Sequence, residues 1–312
     1  MRIIQTIKCR LINLLNERIK RTNWYKNQLV DKELYPTNEW YRSHSERNFN
    51  IVNIGSSSAI TAFNYKYSNL KGLNWAGKPQ SMELGFKIFK NFFSILGPKG
   101  MLCIPLCPFT GLTAPWTGTK EEFRFFGVLD SSLFTDYKKV AFVMETPLLS
   151  STKTAIKRLL KDEPIQGPFK PRQLTTPEQY VHNAEHWIEM WKKEFNITDL
   201  ESSIPNHLIE GHNKRLSLIN EIFAFCKERQ IQVSIAIPPV HPALSKYFTP
   251  KFKQIYLEPI VSIARTNNSL IMDMLNNSDF QSSDFADSFY LNDTGSQKFM
   301  LKLESEINSY HA

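Results

Sequence analysis

Phe49-Asn50-Ile51-Val52-Asn53-Ile54-Gly55-Ser56-Ser57-Ser58-Ala59 is an apolar-rich run that ends in a glycine and three serines. Such a run suits a short strand buried on both faces, as in a parallel sheet. The glycine allows a sharp turn, and a helix is expected through Thr61–Tyr65. Lys71–Ala76, Met101–Leu106, Ile231–Ile237 and Leu270–Met274 read as further strands, with Pro105 near the end of its strand and Pro238-Pro239 closing the next. Helical spacing of apolar residues predicts helices over Met82–Leu96, Pro177–Phe195, Gly211–Arg229, Lys251–Arg265 and Thr294–Ile307. Gly97-Pro98 is the expected stop of the first. This alternation predicts a three-layer α/β domain with a mainly parallel sheet over residues 49–312. Residues 107–210 interrupt it as a long insertion. Its first part, 107–175, is irregular and rich in Pro, Gly, Thr and aromatics, with one helix near Thr152–Lys161.

Charge is distributed unevenly. The 312 residues carry 38 Lys and Arg against 30 Asp and Glu, a net of +8, and residues 1–28 alone hold seven cations against Glu17. The remaining chain is therefore close to neutral, at +2. Within the leader, Ile3, Ile4, Ile7, Leu11, Leu14, Leu15 and Ile19 recur at helical spacing with cations on the other face. Residues 1–48 read as an amphipathic basic helix and linker, and residues 1–28 as a contact for an anionic membrane surface. An N-terminal helix packed on its own domain or on a sister subunit is the alternative. A signal peptide would need a continuous apolar stretch and a small-residue cleavage site, and the leader has neither. A cytoplasmic protein, peripheral at the inner face of the membrane, is the expected location.

With the basicity confined to the leader, and without RRM, KH or zinc-finger patterns, no nucleic-acid partner is expected. Phosphate-loop and dinucleotide motifs are absent, so no cofactor is expected either. The four cysteines, Cys9, Cys103, Cys107 and Cys226, are scattered and read as buried free thiols. His182-Asn-Ala-Glu185-His186 would place two histidines on one helix face, as zinc ligation needs, but Trp187-Ile-Glu-Met-Trp191 continues an ordinary packing pattern. No metal is expected.

In a parallel α/β sheet, sites form at the carboxyl ends of the strands. Two such ends carry chemistry. Ser57 sits on the strand-to-helix turn after Ile54, where its hydroxyl would be exposed beside backbone N–H groups of the helix start. The last turn, Asp287-Ser-Phe-Tyr290-Leu291-Asn292-Asp293-Thr294-Gly295, holds an Asp able to orient a base.

These blocks, in this order at the two ends of one domain, resemble the SGNH/GDSL esterase superfamily, in particular its bacterial branches in which Gly-Asp-Ser has become Gly-Ser-Ser. The resemblance spans roughly residues 49–309. It implies a flavodoxin-like sheet, a Ser–His–Asp triad, and an esterase or O-acyltransferase acting on a carbohydrate of cell-surface polysaccharide biosynthesis. Ser57 matches the nucleophile and Asp287 the acid of the terminal Asp-x-x-His. Leu73-Asn74-Trp75-Ala76-Gly77 matches the second block, so the resemblance implies an oxyanion hole from the N–H groups of Ser57 and Gly77 with Asn74 beside them.

Two positions depart from the pattern. Tyr290 stands where the histidine belongs, and a phenol that ionises near 10 is a poor general base at neutrality. The Gly-x-Asn expected near the end of the third strand is replaced by Pro105-Leu-Cys107-Pro108-Phe109. His241, in the turn after the fourth strand, is the candidate substitute base or substrate contact. A non-catalytic binding or scaffold protein of the same pathway is thus the competing reading. Phe109, Trp116, Phe123, Phe125 and Phe126 are candidates for stacking on sugar rings, or for core beneath a long loop.

Overall fold

The computed structural model describes residues 2–30, 40–41, 46–113 and 119–311. In chain order the main elements are α1 (Arg2–Lys20), β1 (Phe49–Asn53), α2 (Ser57–Ala62), β2 (Gly72–Asn74), α3 (Met82–Phe92) and β3 (Leu96–Pro105). There follow α4 (Tyr137–Glu145), α5 (Thr152–Leu160), α6 (Pro177–Phe195), α7 (Asn206–Glu228), β4 (Gln232–Ile237), α8 (Glu258–Thr266), β5 (Leu270–Asp273) and α9 (Asp293–His311). The chain divides into two compact units. The larger comprises residues 46–117 and 170–312, the smaller residues 1–45 and 118–169.

All five strands of the larger unit lie in one sheet of order β2-β1-β3-β4-β5, and every pairing is parallel. The unit is the expected α/β domain, and its strand order is the flavodoxin-like one. β1, β3 and β4 bury nearly every residue of their carboxyl halves because helices cover both faces. One layer joins α2 to α9, with the Phe63 and Phe299 rings 5.1 Å apart and the Ser296 hydroxyl donating to the Ala62 carbonyl. The other joins α3 to α7, where Phe225 meets Phe86, Phe89 and Phe93 edge-on.

Several element boundaries differ from the sequence reading, and α7 begins at Asn206 rather than Gly211. The first helix begins at Ser57 rather than Thr61. The helix from Met82 ends at Phe92, and β3 starts already at Leu96. Phe49 pairs with Leu96 but Ile51 pairs with Met101, so Gly97–Gly100 bulge out of the ladder, with Lys99 at φ 58°. Gly97-Pro98 therefore lies inside the strand's irregular start, where a proline removes no required hydrogen bond. The helix expected over Lys251–Arg265 is two, Pro250–Tyr256 and α8. Pro259 explains the break, because its ring clashes with the carbonyl four residues back and it has no N–H to donate.

In the smaller unit α1 packs on the 137–160 region. Ile19, Leu148 and Ala155 form its buried centre, flanked by Ile12, Leu15, Trp24 and Leu159. Asn16 accepts from the Leu148 N–H at 2.9 Å, and the Tyr25 hydroxyl donates to the Met144 carbonyl at 2.8 Å. Asp162 accepts from the N–H groups of Asn23 and Trp24. The leader and the middle of the insertion, separate in the sequence reading, here share one core. α4, which the sequence reading did not find, is capped by Asp136, whose carboxylate accepts from the Lys139 N–H, and buries Val140 and Met144.

Candidate functional site

β1 delivers the chain to Gly55, which adopts φ 136°. A Cβ there would stand 2.8 Å from the Ala59 Cβ and 3.2 Å from Pro105, so only glycine turns the chain this tightly against β3. The turn places Ser57 at the first position of α2, half-buried at the point where the chain leaves β1 and β3 toward opposite sides of the sheet. Such a switch point is where open α/β sheets bind ligands.

The terminal block closes from the other side. A bridge between Phe285 and Leu291, with the Ala286 N–H donating to the Tyr290 carbonyl, folds the segment back on itself. Asp287 fills the turn and accepts from the N–H groups of Phe289 and Tyr290, each at 2.8 Å. This tight turn delivers the Tyr290 hydroxyl to within 2.9 Å of Ser57 Oγ. The pairing of the two end blocks expected from the sequence is present, with the phenol in place of an imidazole.

Electrostatics decide what that contact can do. Burial pushes the Tyr290 phenol up to about 12, against a smaller opposing effect of its bond to Ser57. It is neutral throughout the physiological range and cannot serve as the base that removes the Ser57 proton. Burial likewise raises the Asp287 carboxyl above the ordinary aspartate value, while its two backbone donors and Lys78 pull the other way. Its hydrogen bonds hold the backbone turn, so in this site it shapes the loop and does not orient an imidazole.

His241 is engaged elsewhere. Its Nδ1 accepts from the Ala243 N–H at 3.0 Å, and its Nε2 lies 2.9 Å from Ser282 Oγ. The ring stacks on Tyr180 with centroids 4.1 Å apart, and burial pushes its pKa down to about 4. A neutral, doubly bonded cap is a structural role, and the expected part as substitute base is not supported.

Two of the groups expected in an oxyanion hole, Gly77 and Asn74, are also committed to the fold. Gly77 donates its N–H to the Gly55 carbonyl at 3.0 Å. Asn74 donates to the carbonyls of Ala59 and Phe63 and accepts from Asn53 and the Ala76 N–H, so it ties α2 to β1 and β2. The second block is a brace for the serine turn.

Around Ser57 opens a cleft with roughly 220 Å³ of free space. One wall is aromatic: Phe109, Trp187, Trp191, Phe195 and Phe289. Polar atoms come from Ser56, Ser57, Ser58, Gln80, Thr110 and Glu194. The buried Arg215 side chain also lines it and is held by Glu83 at 3.0 Å. Cys107 also lines it, its thiol raised by burial and bonded by the Thr110 hydroxyl. No histidine is among the described residues lining the cleft.

Sequence reasoning missed the α6 wall. Trp187, Trp191 and Phe195 recur every four residues on one helix face, and that spacing was assigned to packing although it also lines the cleft. Of the described aromatics suggested for sugar stacking, only Phe109 lines it. Phe125 is buried against Tyr41 in the smaller unit, and Trp116 lies outside the described residues. His182, Glu185 and His186 are exposed on α6, and no cluster of three or more His, Cys, Asp or Glu side chains suited to a metal occurs among the described residues. Cys103 and Cys226 are buried free thiols, whereas Cys9 is exposed.

No protein-family model matches the chain, and no curated protein is significantly similar to it.

Proposed function

We propose that the larger unit is a saccharide-binding protein on an SGNH-like scaffold, without serine-ester chemistry, serving cell-surface polysaccharide biosynthesis. The observation that carries the reading is the Ser57–Tyr290 contact, in which the serine's partner is a phenol held neutral by burial. A pair of neutral hydroxyls can donate to and accept from ligand hydroxyls, but it cannot generate an alkoxide. The aromatic wall opposite suits the apolar face of a sugar ring, and the serine, glutamine and threonine groups suit its hydroxyl edge. The polysaccharide context follows from the family resemblance, and a location at the inner face of the membrane from the basic amphipathic leader.

Titration of the protein with polysaccharide repeat-unit fragments, read by fluorescence of Trp187 and Trp191, tests the reading. Saturable quenching that Trp191→Ala weakens by about tenfold supports it. Ser57 should stay unlabelled by a fluorophosphonate probe.

The esterase or O-acyltransferase reading keeps one observation in its favour: Ser57 opens into the cleft at the switch point. Stoichiometric fluorophosphonate labelling lost in Ser57→Ala would establish that reading and displace the first.

A further inference from the structure

The smaller unit carries a surface that the saccharide cleft does not use. On α1, Ile12, Leu15 and Ile19 face the unit's core, yet Ile7, Leu11 and Leu14 are 61%, 56% and 64% exposed. These three recur at i, i+4 and i+7, a single stripe turned roughly a third of a circle from the packed face. On α5, Ala155 and Leu159 face the same core while Ile156 and Leu160 are 46% and 84% exposed.

The two helices run in the same direction: Asn16 bonds to Leu148 before α5 begins, and Asn23 and Trp24 bond to Asp162 just after it ends. The exposed stripe is displaced from the shared seam in one rotational sense on α1 and in the other on α5. For parallel helices that brings both stripes to the same side. Cations border them: Arg10 and Arg18 on α1, Lys153 and Lys157 on α5, with Lys161 just beyond. None of these five has an ion-pair partner among the described residues. The unit holds seventeen Lys and Arg against eleven Asp and Glu, a net of +6, while the larger unit is +2.

We propose that this α1–α5 face docks on an anionic lipid bilayer, lying in the plane of the interface with its aliphatic side chains among the acyl-chain ends. Flexible aliphatic groups ringed by unpaired cations match such a surface in both chemistry and charge. No helix among the described residues is long and apolar enough to cross a membrane.

Full-length protein sedimented with vesicles of phosphatidylcholine containing phosphatidylglycerol tests the proposal. Binding should exceed that to pure phosphatidylcholine by about tenfold or more and fall as salt is raised, since surface charge is screened within a Debye length. Leu11→Glu/Leu14→Glu and Ile156→Glu/Leu160→Glu should each weaken it by at least roughly tenfold. Lys153→Gln/Lys157→Gln, which leaves every apolar group in place, should weaken it by several-fold, with the far-ultraviolet circular dichroism unchanged. Equal binding to both vesicle types, or variants that bind like the wild type, overturns the proposal. A dimer in light scattering that Leu11→Glu/Leu14→Glu dissolves, without lipid binding, would overturn it in favour of a contact between two copies.

Discussion

At Tyr290 one side chain sets the behaviour of the site. The phenol sits where an imidazole is expected, 2.9 Å from Ser57 Oγ, and burial keeps it protonated. Tyr290→His should therefore raise fluorophosphonate labelling of Ser57 by at least about tenfold, less than a positioned base supplies in a complete site, because Gly77 and Asn74 are committed elsewhere. No gain in labelling would mean that the surrounding turn, rather than the missing base, silences the serine. His241 makes a second, independent prediction. Its folded-state pKa near 4 lies below the ordinary 6.5, so the unfolded chain binds more protons and stability is lost as pH falls between those values. The loss amounts to about 3 kcal/mol at most, and urea titrations at pH 7 and pH 4.5 should show it shrink in His241→Gln. Asp287 acts in the opposite sense, since its raised carboxyl pKa lets the folded state take up the proton earlier than the unfolded chain as pH falls. The Ser57–Tyr290 pairing was legible from two short motifs at the chain's ends. His241 was misjudged because its direction is set by a local cap, the Ala243 N–H and Ser282, which no spacing rule exposes.

Among the elements, the β1–α2 turn concentrates the constraints. Gly55→Ala should destabilise the protein by about 1–3 kcal/mol, because φ 136° is closed to alanine and the added Cβ meets Ala59 and Pro105. Asn74→Ala removes four hydrogen bonds and leaves the Ala59 and Phe63 carbonyls without that donor, a cost of about 3 kcal/mol in chemical unfolding. Parallel pairing was readable from apolar runs separated by helical spacing, since buried strands have little freedom in composition, whereas the flavodoxin-like order came only with the family resemblance. The start of β3 was not, because the bulge at Gly97–Gly100 depends on which residues of β1 it meets. The dual use of the α6 face was equally hidden: a stripe of aromatics looks the same whether it meets core or cleft.

For the whole molecule, the decisive feature is that both units are built from discontinuous segments. Ile19 is fully buried with Leu148 and Ala155, and Asn16, Tyr25, Asn23 and Trp24 supply hydrogen bonds to the 144–162 region. Deleting residues 1–28 should thus expose 137–160 to proteolysis and lose more helical signal than the deleted residues contribute. The near-ultraviolet signal of the sheet unit's aromatics should survive. The sequence placed the basic charge in the leader correctly, yet it treated leader and insertion as separate parts, because contacts between segments so far apart leave no local pattern.

The same arrangement orders events in time during synthesis. α1 leaves the ribosome well before its covering partners at 137–160 exist, and β3 likewise waits for β4, its neighbour in the sheet, across the whole insertion. At roughly 5–20 residues per second, the leader stays uncovered for on the order of ten seconds. During that interval both apolar faces of α1 are free, the one later buried by Leu148 and Ala155 as well as the one left exposed. A nascent chain of this design meets any nearby bilayer with a broader adhesive surface than the finished protein retains.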